Sequence, residues 1–222
     1  MQKFDTPAAV TAHLDIPAGR IQLIAADRAD TTVEVRPTDP AKSRDVKAAE
    51  RTEVVYADGV LRVEVPAAGS RVIGPSGSIE VTVQLPSGSR VQAKTASGEL
   101  RGVGRLGDVV FEGQQATVKI DETADARLAT AAGDIAVGRL GGPAEISTQK
   151  GDIRIDEATR GAVVLRTESG HITISAAHGV SASLDAGTPS GRIRNALKNT
   201  DGTPELAIHA TTGHGDISAD SL

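Results

Sequence analysis

The chain contains no cysteine and a single methionine. No disulfide, zinc–thiolate centre, iron–sulfur cluster or cysteine nucleophile can therefore form, and the fold must hold by packing alone. Aromatic residues are almost as scarce: Phe4, Tyr56 and Phe111 make up 1% of 222 residues. Sugar grooves and single-strand nucleic-acid channels stack their ligands on aromatic faces, and such faces are missing. Neither sign of charge dominates. The 24 Lys+Arg against 29 Asp+Glu leave a net charge of -5, which argues against a basic nucleic-acid-binding surface. Nothing approaches the ~20 apolar residues of a transmembrane helix. The opening Met1-Gln-Lys-Phe-Asp-Thr-Pro7 shows neither an apolar signal segment nor a lipidation motif. The expectation is a cytoplasmic protein with no nucleic-acid partner, no membrane partner, no metal and no cofactor.

What the chain does have is a repeated phrase: Thr, two variable residues, Gly, a polar residue, Ile, any residue, aliphatic. It reads Thr130-Ala-Ala-Gly-Asp-Ile135-Ala-Val137, then Thr148-Gln-Lys-Gly-Asp-Ile153-Arg-Ile155, then Thr167-Glu-Ser-Gly-His-Ile172-Thr-Ile174. Thr95-Ala-Ser-Gly-Glu-Leu100 precedes these, and Thr188-Pro-Ser-Gly-Arg-Ile193 and Thr212-Gly-His-Gly-Asp-Ile217 follow. A degenerate copy, Gly113-Gln-Gln-Ala-Thr-Val118-Lys-Ile120, has Ala116 in the glycine's place. The glycine positions 98, 116, 133, 151, 170, 191 and 215 are separated by 18, 17, 18, 19, 21 and 24 residues. Each step carries a second aliphatic pair, such as Ala144 and Ile146 or Val163 and Leu165. Both segments alternate apolar with polar, the period of half-buried strands.

A rung of two short strands cannot bury its inner face alone. Stacked copies can, each pairing with its neighbours ~4.8 Å away. Residues 91–222 therefore read as a right-handed parallel β-solenoid of two-strand rungs about 18 residues long. The repeated glycine would supply a positive-φ corner, and the repeated threonine a hydroxyl ladder between rungs. The alternative is an antiparallel β-sandwich, whose strands also recur at short intervals. Residues 1–90 are β-rich but irregular. Glu53–Tyr56 and Val60–Val65 flank Ala57-Asp58-Gly59, a hairpin signal. Pro and Gly punctuate strand boundaries at Pro17/Gly19, Pro66/Gly69, Pro75/Gly77 and Pro86/Gly88, and Ala41–Arg51 is the one helix-like segment. No Pro-, Gly- or Ser-rich linker divides the halves, so the whole of 1–222 is expected to be one all-β domain whose first half continues the architecture and caps it.

The Thr-x-x-Gly-Asp-Ile phrase resembles the bacterial β-strand-repeat proteins known as putative adhesins, a family of unknown function. Ile16-Pro-Ala-Gly-Arg-Ile-Gln-Leu-Ile-Ala-Ala-Asp-Arg-Ala-Asp30, Gly102-Val-Gly-Arg-Leu-Gly-Asp108 and the run Arg139–Ile153 are similar to its actinobacterial cytosolic branch. The resemblance spans nearly the whole chain. It implies a β-helical fold and brings no catalytic residues.

The position after the repeat glycine is occupied by Glu99, Thr117, Asp134, Asp152, His171, Arg192 and Asp216. Register would align these along one edge. Two carboxylates ~5 Å apart repel by roughly 1 kcal/mol in water and about 3–4 kcal/mol at an effective dielectric of 20, so Asp134 beside Asp152 could draw a cation or a basic ligand. Solvated turn residues explain the same pattern. The calcium-binding Gly-Gly-x-Gly-x-Asp repeat is not met, and His13, His171, His178, His209 and His214 show no zinc spacing. There is no Gly-x-Ser-x-Gly elbow and no phosphate-binding loop. The long segment Arg194–Pro204 carries Arg194 and Lys198 beside Arg192 and reads as a locally basic loop on an acidic chain. The candidate binding residues are thus Asp134, Asp152, His171, Arg192, Arg194 and Lys198, with no catalytic residue. The expected role is a non-catalytic scaffold or protein-interaction module, its partner another protein or a second copy of the chain. The alternative is a carbohydrate-binding or carbohydrate-active β-helix protein, for which Asp134, Asp152 and Arg192 would supply part of the acidic and basic cluster.

Overall fold

A computed structural model describes residues 1–66, 77–199 and 202–222. The Gly69 and Pro75 boundary positions and residues 200 and 201 of the long segment lie outside the described residues. In chain order the elements begin β1 (Gln2–Asp5), β2 (Thr11–Asp15), β3 (Ala18–Ala26), β4 (Asp30–Pro37), α1 (Ser43–Arg51), β5 (Glu53–Ala57), β6 (Val60–Glu64) and β7 (Ile79–Pro86). Two long strands follow, β8 (Arg90–Leu106) and β9 (Val109–Thr123). The rest are β10 (Ala126–Ala132), β11 (Ile135–Leu140), β12 (Ala144–Lys150), β13 (Ile153–Ala158), β14 (Gly161–Ser169), β15 (Ile172–Ala176), β16 (Ala182–Gly187), β17 (Ile193–Ala196), β18 (Leu206–His214) and β19 (Ile217–Ser221).

The fold is all-β, and most neighbours pair in parallel. Ile135 lies beside Ile153, Ile153 beside Ile172, and Ile172 beside Ile217. All four are at most 1% exposed. A second inner column runs Ala93, Phe111, Leu128, Ile146, Leu165 and Ala210. Among the described residues the antiparallel arrangement of a sandwich is confined to β1–β4, β4–β7 and β5–β6. These sit at the N-terminal end, where irregular patterning was the sequence signal. Asp58 and Gly59, both at positive φ (51° and 78°), turn the β5–β6 hairpin. Helix α1 is fixed by Asp45, a buried carboxylate whose Oδ1 accepts the Ser78 amide at 3.0 Å.

The glycine column has a steric cause. A Cβ on Gly133 would lie 2.1 Å from the Ala116 carbonyl oxygen, one on Gly151 2.2 Å from that of Gly133, and one on Gly170 1.9 Å from that of Gly151. The close approach lets each corner rest on the corner before it. The threonines do not form a continuous hydroxyl ladder. Thr130 donates to Thr148 Oγ1 at 3.0 Å, but Thr167 and Thr212 donate to the carbonyls of Gly151 and Gly170 at 3.0 and 2.9 Å. A hydroxyl facing a carbonyl one rung back satisfies a group that the positive-φ corner leaves unpaired.

Stack order departs from chain order at both ends. Strands β2 and β3 lie between β6/β7 and β8, so the first parallel rung in the chain sits inside a later one. Strands β18 and β19 lie between β14/β15 and β16/β17. The repeat had implied that the rung holding Arg192 follows the rung holding His171. Instead residues 206–221 intervene. The inner residue beside Ile174 explains the choice: the intervening rung offers Ala219, whereas the rung 182–196 carries Asn195 at that position. Burying an unpaired amide against Ile174 is costly. At the end of the stack Asn195 is exposed, and its Oδ1 accepts the Leu197 amide at 3.0 Å.

Candidate functional site

The residue after the corner glycine immediately precedes β11, β13, β15, β17 and β19, whereas Glu99 and Thr117 lie within the long strands β8 and β9. Asp134, Asp152 and His171 fall on consecutive rungs, as the spacing predicted, and all three are exposed. One acceptor of each is committed to its neighbour. Asp134 Oδ1 accepts the Asp152 amide at 2.9 Å, and Asp152 Oδ1 accepts the His171 amide at 2.7 Å. His171 Nδ1 then accepts the Asp216 amide at 2.9 Å, so its ring proton sits on Nε2. Asp216 Oδ1 accepts the Arg192 amide at 2.9 Å, and its Oδ2 meets the Arg192 guanidinium at 3.3 Å. Each side chain thus caps the backbone N–H of the next rung. The Arg192 amide beside Asp216, helped by the Arg192 guanidinium, holds that carboxyl below its usual range.

Asp216 was not among the expected site residues. Its place between His171 and Arg192 follows from the rung inversion, which the phrase does not encode. The same inversion changes the electrostatics of the long segment. Arg192 pairs with Asp216, and Arg194 lies 3.7 Å from Asp220. The Lys198 amide donates to Ser221 Oγ at 3.0 Å. Carboxylates from 206–221 therefore offset the basic run, although the Arg192 and Arg194 side chains remain 90% and 77% exposed.

Surface depressions lie elsewhere among the described residues. One crosses the outer face of β6, β2, β8 and β9 and is lined by His13, Asp15, Arg62, Glu64, Lys94 and Glu112. The alternation along these strands was legible, but their lateral order was not. Another is a trough along the corners, over Ala96, Gln114, Ala131, Gln149, Glu168 and Gly213. Its floor follows from the phrase itself, because the two variable residues between Thr and Gly both face out. Among the described residues no cluster of three or more His, Asp or Glu has metal-holding geometry.

The Toastrack DUF4097 profile matches residues 13–221, and the chain belongs to that family. No curated protein matches it. Solved structures similar over nearly their full length include a "putative adhesin" from Bacteroides fragilis (13% identity, 98% of this chain and 95% of that one, TM-score 0.43). A "putative adhesin" from Parabacteroides distasonis has 13% identity with the same coverage and a TM-score of 0.47. A "putative lipid binding protein" from the same species has 12% identity, again with that coverage, and a TM-score of 0.48. Likeness at this level carries no argument about function. The family is one of unknown function.

Proposed function

We propose that the chain is a non-catalytic, cytoplasmic scaffold: a single right-handed β-solenoid domain of two-strand rungs about 18 residues long that presents its faces to a protein partner or to a second copy of itself. A right-handed course is the general habit of parallel strand–crossover–strand connections. The observation that carries the scaffold reading is the post-glycine column. Asp134, Asp152, His171 and Asp216 use their acceptors on backbone amides of adjacent rungs, which is work for architecture rather than for a reaction. The proposed contact region is the exposed end of the column, with Arg192, Arg194 and Lys198, backed by the neighbouring edge of Asp134, Asp152 and His171.

The test is light scattering of the full chain over a concentration series, against the charge-reversed variant R192E/R194E/K198E. A mass that rises with concentration in the parent and not in the variant supports this reading. A second reading, carbohydrate binding, is favoured by the trough over Gln114 and Gln149, which crosses several rungs and whose amides can pair with sugar hydroxyls. A thermal-shift screen against oligosaccharides separates the two. Stabilisation by a saccharide, with a monomer at every concentration, would favour the second reading over the first.

A further inference from the structure

We propose that this chain dimerises by exchanging its last rung: residues 206–221 of one copy fill the place between β14/β15 and β16/β17 of another, and the reverse. The proposal rests on the self-association reading above and names its mechanism.

The inverted rung order is the starting point. Strands β18 and β19 are the only strand neighbours of β16 and β17 among the described residues, and they also hold the open side of β14 and β15. One segment therefore bridges two rungs that precede it in the chain. Those two rungs are made before it, and the second of them, β16/β17, is competent to occupy its place. Thr188-Pro-Ser-Gly-Arg-Ile193 is the same phrase as Thr212-Gly-His-Gly-Asp-Ile217. Ile193 matches Ile217 as a neighbour for Ile172, and Ala186 matches Ala210 as a neighbour for Leu165. Asn195, where the rightful rung has Ala219, and the small Ala182, where it has Leu206, make the early occupant a poor fit. Residues 206–221 must then displace a rung of their own chain or enter the equivalent place in a neighbouring chain.

Both routes end in the same contacts. Leu206, Ile208, Ala210, Ile217 and Ala219 are all at most 1% exposed, and their pairings with Gly161, Val163, Leu165, Ile172 and Ile174 are unchanged by which chain supplies them. The polar closures travel with the rung: Thr212 to the Gly170 carbonyl, the Asp216 amide to His171 Nδ1, and Asp216 to Arg192. An exchange that keeps every contact except those of the connector is the low-cost route to a symmetric dimer.

The chain has no cysteine, so introduced thiols report without background. Val164 and His209 are register partners on the outer face of β14 and β18. Full-length V164C and H209C are unfolded together, refolded at high concentration and treated with a short bis-maleimide. Exchange predicts a cross-linked species of twice the chain mass that contains one chain of each variant. It also predicts that neither variant alone gives this species and that its yield falls on refolding at high dilution. If the mixed singles give no such species while the double variant V164C/H209C cross-links within one chain at every concentration, the rung comes from its own chain and exchange is overturned. Dimers seen by scattering in that case would leave the scaffold reading standing without exchange. Cross-linking of V164C to itself would indicate face-to-face docking and likewise overturn exchange.

Discussion

Gly113 and Ala116 exchange the roles that Thr and Gly play in every other complete copy of the phrase. A Cβ on Gly113 would come 2.8 Å from the Ala116 methyl carbon and 2.9 Å from Phe111 Cε1. Ala116 is 2% exposed and Phe111 fully buried. The methyl of Ala116 and the ring of Phe111 thus fill the space that a threonine takes in the neighbouring rungs. Phe111 is the only buried aromatic residue of the core, and the one rung that holds it is the one that lacks the threonine.

This coupling predicts non-additive mutants. Gly113→Ala should destabilise the fold by ~1–3 kcal/mol through overpacking. Adding Phe111→Leu, the residue type that Leu128 provides in the next rung, should recover much of that loss, although Phe111→Leu alone leaves a cavity. A urea-denaturation cycle of the two singles and the double measures the coupling. Additive effects would contradict the shared-space account.

The isoleucine column sets the scale of core stabilisation. Ile153 is 1% exposed between Ile135 and Ile172. Ile153→Ala should cost ~2–5 kcal/mol through the cavity it leaves, and Ile153→Asp should abolish folding, because a carboxylate cannot be buried there unpaired. Equilibrium denaturation and circular dichroism check both.

The corner glycines should tolerate no side chain. At Gly133, φ is +130° and a Cβ would meet the Ala116 carbonyl oxygen at 2.1 Å. Backbone, not a flexible side chain, has to move. Gly133→Ala should cost at least ~2–3 kcal/mol from conformational strain and steric displacement together. A midpoint within error of the parent would refute the close-approach explanation of the glycine column.

Asp30 is a source of acid sensitivity at the N-terminal end. Arg28, and after it Lys3, hold the Asp30 carboxyl at about 2, below its usual 3.8. A depressed folded value contributes stability that is present above the unfolded value and fades as pH falls through the folded one. Asp30→Asn should therefore flatten the loss of stability between about pH 4 and pH 2. Denaturation midpoints measured across that window, for parent and variant, provide the check.

Much of this was legible because a local phrase sets a local register. The stacking of Ile135, Ile153 and Ile172, the outward column of Asp134, Asp152 and His171, and the hairpin at Asp58-Gly59 all follow from spacing and turn chemistry. Rung order was not legible from the phrase, because copies that look alike compete for the same neighbours. The distinguishing residue was present: Asn195 stands in an otherwise aliphatic column beside Ala219, and a polar residue at an inner position marks an end rung. The acidic partners of the long segment's arginines were not legible for the same reason, since Asp216 and Asp220 arrive from residues later in the chain. The mixed-charge depression over Arg62, His13 and Lys94 needed the lateral order of β6, β2 and β8, a long-range relationship that alternation along one strand does not contain.

The central claim is that the post-glycine side chains are structural acceptors, and Asp152 tests it most directly. Its Oδ1 accepts the His171 amide at 2.7 Å, while its own amide donates to Asp134. Stability should be measured by urea denaturation for Asp152→Asn and Asp152→Ala, each with and without a divalent cation. The structural account predicts that Asn, which keeps an acceptor oxygen, stays within about 0.5 kcal/mol of the parent, that Ala loses ~1–2 kcal/mol, and that the cation changes none of the three. If the parent is stabilised by the cation and Asn loses that stabilisation as fully as Ala, the column is a cation site and the account is wrong.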